Sequence, residues 1–360
     1  MLIAPHPDDE ALACSIILQH AVCAGAAIRV LYATDGGNNP WPQRLLDRKW
    51  RLTEVDRRRW GKLRRAEAVA ALQALGVDRS DADFLALPDQ GLTGLLMTDC
   101  RSILEQFATS VSAWSPTHLL VPSVHDTHPD HSALAVILRL TLANLYPDGP
   151  RMSVWTYAVH GNSEAFFGRA QELRQSRSET AVKEQAIRSH KTQLMLSRRR
   201  FLAYAGRPES FLKLESHEVT HANGPIRQVS RQMHVLRVRL LLSTKPMDAT
   251  GTTLFVLGHD SAGRLRCVRM RVPVRSSATE VFDCHTGERL ELARYHGNAF
   301  GGEFAIPVDT FSAARVLFVK LERPSWFFDE AGWLETPPIV VETALTRMAK
   351  TPSMGAQVLS

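Results

Sequence analysis

Short apolar runs alternate with longer amphipathic stretches along the N-terminal part of the chain. The runs Leu2–Ala4, Ile28–Ala33 and His118–Val121 are mostly apolar, as expected for parallel strands that are buried on both faces. Between them, Leu12–Ala24 and Lys62–Leu75 have helical composition, and each is followed by a glycine that favours a helix end. Strands that alternate with helices predict an α/β fold, a Rossmann-like parallel sheet with helices on both faces.

The same pattern continues further along the chain. Helices are predicted over Thr98–Trp114, Ser132–Leu145 and Lys183–Leu196, and a strand over Ser153–Val159. The stretch Trp41–Trp60 is rich in Arg and Trp, which fits two structures equally well: a lid that covers a substrate, or an amphipathic helix on the surface. The first strand is short for a central strand, so we expect either further residues upstream or a clipped strand.

From Val235 onward the pattern changes to short strands separated by turns, which predicts a small all-β, sandwich-like unit. We therefore expect two domains, residues 1–215 and residues 230–340. Aromatic residues near the end of the second domain could contact a sugar face, although core packing is the favoured role: these are Trp326, Phe327, Phe328 and Trp333. The predicted strands are Val235–Leu242, Thr253–Leu257, Leu265–Val274 and Arg315–Leu321.

The charge balance limits the classes of partner. The net charge is +6, and part of the excess lies in runs such as Arg57–Arg59 and Arg198–Arg200. No nucleic-acid-binding motif accompanies these runs, so we expect an anionic small-molecule substrate rather than a nucleic acid. No stretch is long and apolar enough to predict a transmembrane helix. The five cysteines are scattered without metal-site spacing, which favours a reducing cytoplasm. The oligomeric state is left open.

Two polar clusters follow the first and third apolar runs. They are His6-Pro7-Asp8-Asp9-Glu10 and His128-Pro129-Asp130-His131. Because the carboxyl ends of parallel strands meet at one edge of a sheet, we expect both clusters at one crevice. Imidazoles and carboxylates are the ligands of catalytic zinc, and the two clusters together could supply three of them. The clusters therefore predict metal-assisted hydrolysis of an amide or ester.

These clusters resemble the two signatures of the PIG-L/LmbE-like family of zinc-dependent N-acetylglucosamine N-deacetylases. Further segments agree in the same order along the chain and extend the resemblance over about residues 1–205. They are Ala33-Thr34-Asp35-Gly36, Arg64-x-x-Glu67, Leu75-Gly76-Val77, Phe84 to Leu92, and Lys183-x-x-Ala186-x-x-x-His190-x-x-Gln193.

The resemblance implies a role for several residues. His6, Asp9 and His131 would bind Zn²⁺, with another divalent metal such as Fe²⁺ as the alternative. Asp8 would be the general base toward a metal-bound water. His128, kept charged and oriented by Asp130, would stabilise the oxyanion and could act as an acid. Arg64 and Asp89 match positions near the sugar and are weaker candidates for substrate binding. His190 fits an active-site role or a satisfied core position equally well. His118, His125 and His160 are expected near the same crevice, without an assigned role.

The resemblance implies removal of the N-acetyl group of a GlcNAc-like amino sugar that is part of a conjugate, with release of acetate and a free amine. Two alternatives stay open. One is an amidase for another N-acyl or thiol conjugate. The other is an inactive metal-containing carbohydrate-binding protein, which the intact Asp8 and His128 argue against.

Overall fold

The computed structural model describes residues 1–98, 100–214, 224–241, 251–322 and 328–339. Within them the chain forms two sheets, one in each half. Residues Leu242, Trp326 and Phe327, named above, lie outside the described part of the chain.

The first sheet has seven strands in the order β3-β2-β1-β4-β5-β7-β6. Strands β1 to β5 are parallel, while β7 runs antiparallel to both β5 and β6. This confirms the predicted parallel α/β sheet and adds an antiparallel strand near one edge. The strands are β1 Leu2–Ala4, β2 Val30–Thr34, β3 Ala82–Leu87, β4 His118–Pro122, β5 Ser153–Tyr157, β6 Gln171–Leu173 and β7 Glu209–Lys213.

Helices cover both faces of this sheet, as predicted. Two of the predicted helices are interrupted, the first at Cys14 and the last at His190. A capping box between Thr53 and Asp56 starts α4 well before the predicted residue 62. The helices are α1 Asp9–Ala13, α2 Ser15–Cys23, α3 Pro40–Asp47, α4 Glu54–Ala74, α5 Leu92–Met97, α6 Arg101–Trp114, α7 Pro129–Leu145, α8 Glu164–Phe167, α9 Arg177–Ser189 and α10 Lys191–Leu202, with a 3₁₀ turn at Arg79–Asp81.

The second sheet is antiparallel, with nine strands in the order β16-β15-β10-β11-β12-β13-β14-β9-β8. Its edge strands β8 and β16 lie against each other, so one coiled sheet nearly closes into a barrel where a sandwich was predicted. A long antiparallel sheet accumulates enough twist to curl in this way. The strands are β8 Ile226–Arg231, β9 Val235–Leu241, β10 Thr253–His259, β11 Leu265–Arg271, β12 Arg275–Asp283, β13 Arg289–Asn298, β14 Gly301–Pro307, β15 Leu317–Glu322 and β16 Leu334–Thr336.

The two sheets share part of one hydrophobic core. Phe255, Phe318 and Trp333 of the second half pack in the same cluster as Phe107 and Leu138 of the first half. Trp333 is fully buried there, which confirms the packing role favoured for it. None of the helices among the described residues is long and apolar enough to cross a membrane.

Candidate metal centre and catalytic site

The two polar clusters meet at the carboxyl edge of the first sheet. His6 follows β1, and Pro129 opens α7 shortly after β4. The side chains of His6, Asp9 and His131 are at most 8 % exposed. The fold therefore brings together the ligands that the sequence predicts, from positions far apart in the chain.

The donor atoms of these three residues point toward one another. His6 Nδ1 lies 3.2 Å from His131 Nε2. Asp9 Oδ1 is 3.4 Å from His131 Nε2, and Asp9 Oδ2 is 3.7 Å from His6 Nδ1. Ligands at 2.0–2.1 Å from a tetrahedral Zn²⁺ lie about 3.3 Å apart. The two imidazole nitrogens have this spacing, whereas Asp9 contacts them through different oxygens, Oδ1 toward His131 and Oδ2 toward His6.

The other ring nitrogen of His6 faces two carboxylates. His6 Nε2 is 3.2 Å from Asp89 Oδ1 and 3.2 Å from Asp130 Oδ2. Both acids also accept main-chain hydrogen bonds: Asp89 from Asn38, and Asp130 from Gln90 and Leu92. His6, Asp89 and Asp130 are close enough to hold a metal ion, as are His6, His128 and His131. Because the two acids already accept hydrogen bonds, the Nε2 side of His6 fits an orienting contact and its Nδ1 side fits the metal.

Asp126 contacts His131 Nδ1, the ring nitrogen that does not face His6. Its Oδ2 lies 3.1 Å from His131 Nδ1 and accepts the Val159 N–H at 2.8 Å, while its Oδ1 accepts the His128 N–H at 2.8 Å. A carboxylate behind a metal-binding imidazole fixes the tautomer and orientation of the ring. Asp126 is not among the residues predicted from the sequence, because an Asp two residues before a His-Pro dipeptide also fits an ordinary turn.

Charges within the cluster set its protonation in the metal-free protein. Burial by itself lowers the pKa of His6, but hydrogen bonds to Asp130, Asp89 and Asp9 raise it well above the ordinary value. Burial acts against ionisation of Asp9, yet His131 and His6 hold its pKa well below the usual range. His131 likewise has a raised pKa, because Asp9 and Asp126 outweigh burial. A metal ion entering this site therefore competes with protons on both imidazoles.

Asp8 lies in the same turn and faces a different partner. Arg64 Nη2 donates to Asp8 Oδ2 at 2.8 Å, and the Asp8 N–H donates to Glu10 at 3.0 Å. Its φ of 140° is a conformation that side-chain-bearing residues rarely adopt, and such strain concentrates at functional sites. Burial raises the pKa of Asp8 to about 6, although Arg64 opposes the shift.

His128 is buried beside the ligands, and Asp130 contacts it through its main-chain N–H instead of the predicted carboxylate. The Asp130 carboxylate bonds His6 and the main chain, whereas the link to the His128 ring is the Asp130 N–H, which donates to Nδ1 at 3.2 Å. Burial and the neighbouring His6 and His131 lower the pKa of His128 well below its ordinary value. The ring is therefore neutral with its proton on Nε2, instead of being held charged by Asp130.

A protein-family model covers the part of the chain that contains these side chains. Residues 1–142, which contain all of these side chains, match the family model "PIG-L: GlcNAc-PI de-N-acetylase". This part of the chain is a PIG-L domain. The chain is accordingly an enzyme of the metal-dependent N-deacetylase class, as the resemblance predicts. No curated protein sequence matches the chain significantly.

Several solved structures are similar to the first half of the chain. N,N'-diacetylchitobiose deacetylase from Pyrococcus horikoshii is 17 % identical, with a TM-score of 0.45 over 59 % of this chain and 82 % of that one. A deacetylase of the teicoplanin biosynthetic pathway is 19 % identical, with a TM-score of 0.43 over 60 % and 98 %. The 4-carboxy-2-hydroxymuconate hydratase GalB from Pseudomonas putida is 16 % identical, with a TM-score of 0.41 over 57 % and 81 %. The family assignment rests on the match over residues 1–142.

Arg64 and Asp89, the weaker substrate candidates, lie within the PIG-L site. Besides Asp8, Arg64 donates to the carbonyls of Pro7 at 2.5 Å and Gly36 at 2.8 Å. The Asp89 carboxylate accepts the Asn38 N–H at 2.6 Å and contacts His6. Both side chains thus brace the turn that contains the ligands, and their contact with a sugar stays a prediction.

The four other histidines named in the sequence analysis lie in four different places. His190 is buried with Nε2 2.7 Å from Glu10, the acid that accepts the Asp8 N–H, so it lies one layer behind Asp8. His160 packs its ring centroid 5.0 Å from that of His131, beside the metal centre. His125 is buried in the loop after β4. His118 begins β4 and so lies at the opposite edge of the sheet, which makes its expected place near the crevice wrong.

Proposed function

We propose that this protein is a metal-dependent hydrolase that removes the N-acetyl group from a GlcNAc-like amino sugar within a conjugate. The observation that supports this most strongly is the convergence of His6 Nδ1, His131 Nε2 and the Asp9 carboxylate within 3.2–3.7 Å. The proposal covers the metal, the roles of the side chains and the substrate.

His6, Asp9 and His131 would hold Zn²⁺, or another divalent ion such as Fe²⁺. Such an ion supplies a Lewis acid that polarises the acetyl carbonyl and acidifies water. The buried Asp126 and Asp130 carboxylates fix the rings of the two histidine ligands, so the ligand geometry exists before the metal binds.

Asp8 accepts the proton of the attacking water. Its pKa of about 6 leaves it ionised at neutral pH and still able to give the proton up. The water oxygen bonds to the acetyl carbon, the C–N bond then breaks, and Asp8 returns the proton to the leaving amine. Acetate and a free amino sugar are the products.

His128 stabilises the negative oxygen that forms during this reaction. The Asp130 N–H donates to its Nδ1, so a neutral His128 presents Nε2–H as a hydrogen-bond donor. A donor in a buried site is worth more than one in water, because few water molecules compete for the oxygen. The role predicted for His128 is kept, with the neutral ring as donor.

Location and substrate class are proposed on separate grounds. The five cysteines are free, which supports the reducing cytoplasm as the compartment. The family description, GlcNAc-PI de-N-acetylase, supports an N-acetylglucosamine group on a larger molecule. A small-molecule or glycoconjugate substrate fits this description, and we propose no nucleic-acid partner.

Acetate release from N-acetylated sugars tests the function. We expect the purified protein to contain about one divalent ion per chain and to release acetate from at least one GlcNAc conjugate, with loss of activity after chelation. Glucosamines with longer N-acyl groups distinguish a deacetylase from a general amidase, because only a general amidase should hydrolyse them at a similar rate. A protein that binds these sugars tightly but releases no acetate in the presence of Zn²⁺ or Fe²⁺ would contradict the proposal.

A further inference from the structure

A polar cavity of about 310 Å³ opens beside the metal centre. From its position and lining we propose, on the basis of the function above, that it binds an anionic group of the substrate conjugate, a phosphate or a carboxylate attached to the amino sugar. The residues used in the argument are Thr127, His160, Arg200, Tyr204, Arg207 and Phe328.

Two guanidinium groups give the cavity its charge. Arg200 and Arg207 both line it, and within the described ranges neither forms an ion pair with a carboxylate. The Arg207 guanidinium carbon lies 4.3 Å from the centre of the Tyr204 ring, and Tyr204 donates its hydroxyl hydrogen to the Val159 carbonyl at 3.1 Å. Stacking on an anchored ring restricts Arg207 before any ligand binds, which suits recognition of phosphate or carboxylate.

His160 joins the cavity to the metal centre. Its ring centroid lies 5.0 Å from that of His131, and its main-chain N–H donates to Asp126 at 3.1 Å. His160 Nδ1 is buried and has no hydrogen-bond partner among the described residues. Because buried polar atoms are rarely left without a partner, this nitrogen marks an unsatisfied polar position in a ring that also lines the cavity.

The second half of the chain closes the cavity wall. The Phe328 ring centroid lies 5.2 Å from that of His160 and 5.7 Å from that of His128. The next residue, Asp329, donates its N–H to the Thr127 carbonyl at 2.8 Å. One side of the cavity is therefore basic and belongs to the first half of the chain, while the other side is formed by an apolar ring from the second half.

The chemistry implies a substrate preference. An N-acetylamino sugar with its acetamide at the metal would place its attached group toward Arg200 and Arg207. An uncharged aglycone would leave both guanidinium groups without a partner, whereas an anionic one forms charge-assisted hydrogen bonds. The cavity thus selects the anionic members of the GlcNAc conjugates.

Steady-state kinetics with matched substrates tests the selection. The substrates are N-acetylglucosamine 1-phosphate, the malate glycoside of N-acetylglucosamine and the uncharged methyl glycoside. We expect Arg200→Gln and Arg207→Gln each to raise KM for a charged substrate about tenfold, as for a lost hydrogen bond to a charged group, and to leave the methyl glycoside unchanged. Arg207→Lys should retain part of the preference for charged substrates, because it keeps the positive charge. Arg199→Gln is the matched control, because Arg199 is exposed on the same helix and lies outside the cavity lining.

Calorimetry with glucosamine 1-phosphate and the chelator-treated protein tests binding without turnover. We expect binding that weakens with added salt and that Arg200→Gln and Arg207→Gln reduce about tenfold, while Arg199→Gln does not. The phosphate and malate substrates distinguish the two sources of negative charge, and a preference for either supports the proposal.

The outcomes separate this proposal from the proposed function. Acetate release that is equal for charged and uncharged substrates, and insensitive to Arg200→Gln and Arg207→Gln, overturns the anion site and leaves the deacetylase intact. Arginine-dependent binding of glucosamine 1-phosphate without acetate release from any substrate supports the anion site and overturns the deacetylase. Equal binding by Arg199→Gln and Arg207→Gln overturns the anion site whatever the activity.

Discussion

The two sheets of this protein contain similar residue types but use them differently. In the first sheet the strands that carry the motifs are parallel, so the loops after β1 and β4 end at the same edge and bring His6 and His131 together. In the second sheet the strands alternate in direction, and buried acids such as Asp260 and Asp283 bond the main chain of their own turns. Strand direction, more than composition, decides whether distant polar side chains meet.

The second half nevertheless reaches the site through one short segment. Phe328 packs beside His128 and His160, and Trp333 anchors the segment in the shared core. The first half thus contains the residues proposed as metal ligands and base, and the second half supplies part of the wall beside them. Substitutions in each half should therefore have different consequences.

The largest effect is expected at the base. Asp8→Asn should lower kcat by about 10²- to 10⁴-fold, the usual contribution of a general base, and leave the metal content nearly unchanged. Because it removes the buried ion-pair partner of Arg64, it should also lower the unfolding midpoint. Acetate release and metal analysis measure this. Asp83→Asn, an exposed aspartate on β3 of the same sheet, is the control and should retain activity. Near-normal turnover of Asp8→Asn would show that another group takes the proton.

The next effect lies in the second half and acts on stability. Trp333→Ala should cost about 3–5 kcal/mol, because a large side chain is removed from a fully buried position. Trp41, which is 61 % exposed, is the matched control, and Trp41→Ala should change stability by less than about 0.5 kcal/mol. Urea unfolding followed by fluorescence measures both. Equal costs for the two variants would mean that the shared core does not join the two halves.

Substitutions of two buried acids, Asp126 in the first half and Asp260 in the second, can be compared directly. Asp126→Asn should weaken metal affinity about 10- to 100-fold, because the carboxylate orients His131. Asp260→Asn should reduce stability and leave the metal affinity unchanged, since Asp260 accepts hydrogen bonds from Ala262 and Arg264 in a turn of the second sheet. Competition titration with a zinc chelator measures the affinities. The same loss in both variants would point to a general effect on folding.

The smallest expected effect is a change in pH profile. Asp8 must be ionised to act as base, so kcat/KM should fall as pH drops through its pKa, which is about 6 without metal and lower with a bound dication. Arg64 holds this pKa down, so Arg64→Gln should move the acid limb to higher pH by about one unit. Arg65→Gln, which removes a pair with Asp35 instead, should leave the limb in place. An unchanged limb in Arg64→Gln would assign it to another group.

The apolar runs before the two clusters predicted that both clusters lie at one edge of the sheet, and the structure confirms this placement. The choice of His6, Asp9 and His131 as ligands came from the family resemblance and stays a prediction. Asp126 could not be predicted, because its function depends on contacts with Val159 and His160, which are 33 and 34 positions further along the chain. The curvature of the second sheet was also missed, since alternation of polar and apolar residues gives strand faces but no closure.

Phe328 lies late in the chain, so it is synthesised after the other residues of the site. A ribosome adds about 5–20 residues per second, so the last proposed metal ligand, His131, leaves it about 10–40 s before Phe328 does. The nascent first half therefore contains the residues proposed as ligands, base and oxyanion donor while one wall of the neighbouring cavity has not yet been made. The groups proposed for hydrolysis and the complete wall of the proposed anion site are thus synthesised in two separate steps.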